Sequence, residues 1–234
     1  TSFFFFFSQF KSHSKFFLYY NCMSTAKISV AKKAFHFFLK KLSNNMILGI
    51  GTGSTVNFFI EELSRFKAHF KGAVSSSEAS TKLLEASGIQ VFSLNDVNEL
   101  EFYIDGADEV SPNNYLIKGG GGAHTREKIV ASASREFICI VDKSKMVQKL
   151  GAFPLPVEVI PESRSLVARK IISLGGTPVY RNNFTTDQGN QILDVKDIDI
   201  SDPEELETLI NNIAGVVDNG IFAKNKPEVV LVSE

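Results

Sequence analysis

From Ser24 onward, short apolar runs bounded by turn residues alternate with stretches whose apolar residues recur at helical spacing, and that alternation admits few folds. Ile28, Ala31, Phe35 and Phe38 share one helical face. Met46-Ile47-Leu48-Gly49-Ile50 is a strand-like run, and Val56, Phe59, Ile60 and Leu63 return to helical spacing. The rhythm continues through a short strand at Gly72 to Val74, a helix over about Glu78 to Ser87, and strands at Phe102 to Ile104 and Tyr115 to Ile117. A helix over about His124 to Arg135 and a strand at Phe137 to Val141 follow. Short apolar strands separated by helices predict a mostly parallel sheet covered on both faces, a Rossmann-like three-layer α/β domain.

Beyond Pro154 and Pro156 the pattern changes. Strands are expected at Val157 to Ile160, Pro178 to Arg181 and Gln191 to Val195, with helices at Leu166 to Leu174 and Pro203 to Ile213 and a last short strand near Val216. Asp202 is a fitting N-cap for the second helix, with Pro203 at its first position. This order suggests a small α+β unit of ferredoxin-like type. The apolar run Val229 to Val232 is expected to return to the first sheet, so residues 155–224 read as an insertion into a domain built from 23–154 and 225–234.

The first 22 residues differ from the rest: they hold eight phenylalanines and no acidic residue. Ser8, Gln9, Lys11, Ser12, His13, Ser14 and Lys15 interrupt them, whereas a membrane span needs about 20 apolar residues in succession. They also lack the order of a signal peptide, because the apolar block precedes the positive charges. Met23 is the favoured functional start, and a targeting extension is the alternative. Across all 234 residues, 25 Lys and Arg against 26 Asp and Glu give a net charge of −1, so nucleic acid is not an expected partner. Of two cysteines, Cys139 lies inside the apolar run Phe137 to Val141, which argues against a disulfide scaffold and for a reducing, cytoplasmic setting.

Four loops after expected strands carry the chemistry. Gly49-Ile50-Gly51-Thr52-Gly53-Ser54-Thr55 runs from strand to helix, and its glycines, free amides and hydroxyls suit a phosphate. Ser54 stands where the dinucleotide fingerprint needs Gly, and no Walker lysine follows, so a monophosphate is favoured over a nucleotide. Ser75-Ser76-Ser77-Glu78-Ala79-Ser80 reads alone as a serine-rich helix cap. Asp105-Gly106-Ala107-Asp108-Glu109 crowds three carboxylates at a strand end, an arrangement that calls for cations or substrate hydroxyls among them, or for open solvent. Lys118-Gly119-Gly120-Gly121-Gly122 leads into a helix with Glu127 in its first turn. Four glycines cost chain entropy that close approach to a ligand would justify. The plainer readings are a tight turn for the first loop and a helix-dipole role for Glu127. His124 is given no role.

In this order, together with Thr125-Arg126-Glu127-Lys128, Phe153-Pro154-Leu155-Pro156-Val157-Glu158-Val159, Gly215-Val216-Val217 and Gly220-Ile221-Phe222-Ala223, these strings resemble the ribose-5-phosphate isomerase A family. The resemblance runs from about Lys27 to the last strand. It implies interconversion of D-ribose 5-phosphate and D-ribulose 5-phosphate in the pentose phosphate pathway, with neither metal nor other cofactor, and a homo-oligomer, dimeric or tetrameric. It makes Glu127 the proton-transferring base and sets Lys118 beside the substrate oxygens. Asp105 and Asp108 serve ring opening and hydroxyl binding. Thr52, Gly53, Ser54, Thr55, Gly106, Ala107, Gly119, Gly120, Gly121 and Lys145 bind substrate, with a helical lysine near the start: Lys32 fits best and Lys33 is the alternative. A sugar-phosphate sensor would need the phosphate cradle but neither Glu127 nor Lys118, and a deaminase or transferase would need another nucleophile or base.

Overall fold

The computed structural model describes residues 25–233; the expectation for residues 1–22 lies outside them. A first helix, α1, occupies residues 25–38. The central sheet then forms from β1 (Ile47–Ile50), β2 (Gly72–Ser75), β3 (Leu100–Asp105), β6 (Ser134–Val141) and β12 (Val229–Val232) in the order β12-β6-β3-β1-β2. Every pairing in it is parallel. Between these strands run α2 (Ser54–Ser64), α3 (Glu78–Ala86) and α4 (His124–Ser132). As the apolar run at its end predicted, β12 returns from the far end of the chain to pair with β6.

Strand alternation explains why both faces had to be covered. On β3 and β6, Phe102, Ile104, Ile138 and Ile140 pack into one core with Val30, Phe35 and Phe38 of α1 and Val56, Phe59 and Ile60 of α2. Their neighbours Tyr103, Phe137, Cys139 and Val141 face the opposite side, against Val130 and Ala131 of α4 and Phe222. Burying a phenylalanine such as Phe38 or Phe59 contributes roughly 1.5–3 kcal/mol. The half-exposed Lys32–Glu62 pair at 4.0 Å is worth well under about 1 kcal/mol. Apolar packing therefore seats α1.

The second sheet combines β7 (Leu155–Val159), β8 (Thr177–Tyr180), β9 (Gln191–Lys196) and β10 (Val216–Asn219) in the order β10-β7-β9-β8, all antiparallel. With α5 (Arg164–Ser173) and α6 (Pro203–Asn211) it has the βαββαβ succession of a ferredoxin-like unit. Asp202 caps α6 by accepting from Glu205 N at 3.0 Å.

Two expectations change. The run Tyr115 to Ile117 does not enter the central sheet. Its two-residue strand β5 (Leu116–Ile117) pairs antiparallel with β4 (Glu109–Val110) and with β11 (Ile221–Phe222) in a separate three-stranded sheet. The α4 helix ends at Ser132, because β6 starts at Ser134 and pairs with Leu100 from there. Among the described residues no helix is long and apolar enough to cross a membrane.

The strand order fixes the site. The chain leaves β1 outward to β2, then crosses back to β3 on the other side of β1, so the direction of winding reverses between β1 and β3. Ligands of open α/β sheets bind beyond the carboxyl ends of strands at such a point. The glycine loop after Ile50 and the carboxylates after Ile104 both stand there.

Candidate active site

The loop after β1 is built to bring backbone close to charge. Gly51 N donates to Ile104 O at 2.8 Å, and a Cβ on Gly51 would collide with the Asp105 carboxyl. Gly53 takes φ +114° and heads α2 without any side-chain cap, so the first amides of that helix remain open to a ligand. Behind the loop, the Thr52 hydroxyl lies 2.9 Å from Ser76 Oγ and donates to Ser77 Oγ at 2.8 Å, while Ser80 Oγ donates to Gly51 O at 2.7 Å. Ser77 also caps α3, accepting from Ser80 N at 3.1 Å. The serine-rich loop is thus both helix cap and brace.

The charged centre lies beside it. Lys118 Nζ is 2.8 Å from Asp105 Oδ2 and 3.2 Å from Glu127 Oε2, and it donates to Gly106 O at 2.5 Å. Asp105, Lys118 and Glu127 are only 0%, 3% and 5% exposed. Asp105 also accepts from Thr52 N at 3.0 Å, from Gly106 N at 2.7 Å and from the buried Tyr103 hydroxyl. Burial alone would lower the lysine's pKa, but the Asp105 and Glu127 charges outweigh it and hold the ammonium above its ordinary value. Burial, then the Asp105 charge, push the Glu127 carboxyl up to about 8 against the opposing pull of Lys118. Although Glu127 Oε2 touches the ammonium, it has no aligned hydrogen bond. A carboxyl this raised and this weakly engaged is suited to taking a proton.

Three of the four successive glycines answer to packing as well as to any ligand. A Cβ on Gly119 would stand 2.7 Å from His124 Nδ1, one on Gly120 would stand 2.8 Å from Asp108 Oδ1, and one on Gly122 would strike the Phe184 ring. Only Gly121 faces open space. Along the following helix, successive side chains part company. Thr125 donates to Glu158, Arg126 pairs with Glu78 at 2.9 Å, and Lys128 reaches Asp218 at 2.8 Å and Glu207 at 3.0 Å. Glu127 is the member of this stretch that turns to the centre. His124 is fully buried, and burial lowers its pKa to about 4, so it serves as neutral packing under Gly119.

A cavity of about 180 Å³ is lined by Thr52, Gly53, Ser54, Thr55, Gly106, Ala107, Asp108, Lys118, Gly119, Gly120, Gly121, Glu127 and Lys145. The structure therefore brings together nearly all the residues singled out by sequence, with Asp105 directly beneath them. Asp108 takes Gly120 N at 2.8 Å. Its neighbour Glu109 turns the other way and accepts from Gly151 N at 2.7 Å and Phe153 N at 2.6 Å, leaving two carboxylates rather than three at this strand end. Lys32 is the correction. It pairs with Glu62 and lines a different cavity, while Lys33 donates to Val232 O at 3.2 Å. One helical turn and more before them, Lys27 lines the central cavity and donates to Ser54 Oγ at 2.8 Å. Lys27 and Tyr103 escaped the sequence reading; the first looked like one of several surface lysines, and the second like one more apolar strand residue.

Residues 72–234 match the sequence profile of Ribose 5-phosphate isomerase A (phosphoriboisomerase A). The chain belongs to the ribose 5-phosphate isomerase A family. Among solved structures, it is similar to the ribose 5-phosphate isomerase A of Neisseria gonorrhoeae, with 50% identity and a TM-score of 0.83 over 89% of this chain and 91% of that one. The enzyme of Methanocaldococcus jannaschii is 42% identical, with a TM-score of 0.82 over 89% and 94% of the two chains. A D-ribose-5-phosphate isomerase in complex with phospho-erythronic acid is 36% identical, with a TM-score of 0.81 over 88% and 93%. The isomerase A profile spans Asp105, Asp108, Lys118, Glu127 and Lys145, while Lys27 and the Thr52 to Thr55 loop precede it.

Proposed function

We propose that this member of the isomerase family interconverts D-ribose 5-phosphate and D-ribulose 5-phosphate through an enediolate, with Glu127 as the base. The observation that carries the assignment is the Lys118–Glu127 contact of 3.2 Å inside the glycine-lined cavity. Moving a carbonyl from C1 to C2 requires a proton to leave C2. Glu127 takes that proton, the C–H electron pair forms the C1–C2 double bond, and negative charge gathers on O1. Returning the proton to C1, with the O2 hydroxyl proton passing to O1, completes the ketose.

The ammonium of Lys118 has three donors; it donates to Gly106 O and pairs in charge with Asp105 Oδ2 and Glu127 Oε2. The Glu127 contact is the longest of the three and leaves Oε2 without a hydrogen bond, so it is the one an incoming substrate oxygen replaces, which frees the carboxylate to act. A fixed cation beside the developing oxyanion is worth as much as the base itself, since one preorganised donor contributes roughly 10² to 10³ in rate. Asp108 is placed to accept sugar hydroxyls and assist ring opening. The open helix start at Gly53 to Thr55, with Lys27 and Lys145, suits the phosphate. Phospho-erythronic acid, bound by a relative, carries a phosphate and a planar carboxylate, the charge pattern of the enediolate.

The substrate pair assigns the reaction to the non-oxidative pentose phosphate pathway. The free, buried Cys139 supports a cytoplasmic setting, and the family resemblance supports a homo-oligomer, dimeric or tetrameric. Incubating the chain with ribose 5-phosphate and following ketose absorbance tests the reading; no ketose would overturn it.

A further inference from the structure

One cation touches the glycine cradle from outside the parallel domain. Arg181, just past β8, donates from Nη1 to Gly119 O and Gly120 O, both at 3.2 Å, and from Nη2 to Gly119 O at 3.2 Å. Its other edge is locked by Asp194 of β9, at 2.9 Å from Nε and 2.5 Å from Nη2. The guanidinium lies 5.2 Å from the centre of the Phe184 ring, the ring that forbids a side chain on Gly122. A planar fork with both edges engaged holds direction as well as charge.

That direction has a consequence for the two peptide planes it grips. The described peptides are trans, so each carbonyl points opposite to the N–H of the next residue. In the first plane the Gly119 carbonyl goes to Arg181, and the Gly120 N–H goes the other way, to Asp108 in the cavity. In the second plane the Gly120 carbonyl also goes to Arg181, so the Gly121 N–H is turned toward the same cavity, which Gly121 lines. Among the described residues no protein acceptor takes that N–H.

We propose that Arg181 is a positioning residue: by gripping the Gly119 and Gly120 carbonyls it aims the Gly121 N–H at the substrate oxygen that becomes negative. This rests on the isomerase reading and adds a second donor opposite Lys118, one set by the four-stranded sheet. A preorganised amide is worth more in the transition state than in the ground state, so its loss falls on kcat.

The test compares Arg181→Ala and Arg181→Lys with the parent chain, using ribose 5-phosphate turnover and calorimetric binding of phospho-erythronic acid and inorganic phosphate. Expected for Arg181→Ala are a kcat lower by about 10- to 100-fold with KM within about threefold, weaker binding of the acid, and unchanged binding of phosphate. Added methylguanidine restores part of the rate. Arg181→Lys keeps the Asp194 ion pair and hence the fold, but loses the fork, and shows the same split. Equal weakening of both anions, an unchanged kcat, or a loss in KM alone would overturn the role. A parent chain that makes no ketose, yet whose Arg181 variants lose the acid and keep phosphate, would sink the isomerase reading while leaving the positioning role standing.

Discussion

Glu127 Oε2 sits 3.2 Å from Lys118 Nζ, inside the protein and without an aligned hydrogen bond. A base held by charge but not by directed bonding can release its partner when substrate arrives. Glu127→Gln keeps the shape and removes the proton acceptor, so kcat should fall by roughly 10² to 10⁴, while calorimetry still detects phospho-erythronic acid. Turnover at the parental rate would remove Glu127 from its role.

The raised carboxyl predicts a pH profile. Glu127 must be ionised to act, and burial with the nearby Asp105 charge lifts it to about 8. In the free protein kcat/KM should therefore climb with pH and level off above that value; a flat profile from about pH 6 to about pH 9 would contradict this. Stability should run the opposite way. A group that holds its proton more tightly when folded contributes fully below the ordinary carboxylate range and loses that contribution as pH rises through its folded value. Denaturant midpoints of Glu127→Gln should thus improve relative to the parent as pH rises from about 4.5 to about 8.

Removing the ammonium should cost stability as well as activity. Lys118→Met leaves Asp105 and Glu127 buried together with no cation between them, an arrangement that costs about 3–5 kcal/mol. Urea unfolding at neutral pH would show the loss, and raising the pH past about 8 should widen the gap, because Glu127 then ionises beside a cation in the parent and has none in the variant. Equal stability of variant and parent at neutral pH would mean that the pair is not formed in solution.

The glycines separate into two kinds by calorimetric melting. Gly122→Ala must displace the Phe184 ring at a residue with φ +77°, and overpacking of this sort costs about 1–3 kcal/mol. Gly121→Ala meets no atom within 4 Å and should stay within about 0.5 kcal/mol of the parent. Reversal of that order would refute the packing account.

Lys27 and Lys32 should separate by kinetics. Lys27→Ala removes a cation from the phosphate end of the cavity and should raise KM about tenfold, the effect of losing one charge-assisted hydrogen bond worth about 1.5 kcal/mol. Lys32→Ala, which removes an ion pair on another face, should change KM less than twofold. The opposite ranking would return the phosphate role to Lys32.

What the sequence made legible was local. The run Ile47 to Ile50, its glycine turn and the helix after it are written in adjacent residues, and so is Glu127 in a first helical turn. The fate of Tyr115 to Ile117 was not, because a short apolar run does not say which sheet will take it. By resemblance Lys32 fits best, with Lys33 as the alternative, and Lys27 on the same helix is passed over; the packing of α1 against Phe59 and Phe102 decides which lysine reaches Ser54. Glu109 looked equivalent to Asp108, yet as a member of β4 its side chain is spent on the amides of Gly151 and Phe153. Arg181 sits 61 residues downstream of Gly120, whose carbonyl it grips, a distance that no local pattern spans.

The helix that carries Glu127 is bolted on either side of it, by Thr125 to Glu158 of β7 and by Lys128 to Asp218 of β10. The base consequently takes its bearing from the sheet that holds none of the reacting groups. A chimera that grafts the four-stranded unit from a distant relative would inherit every acid, base and glycine of the cavity and still misplace the carboxylate, unless the graft kept both anchor points.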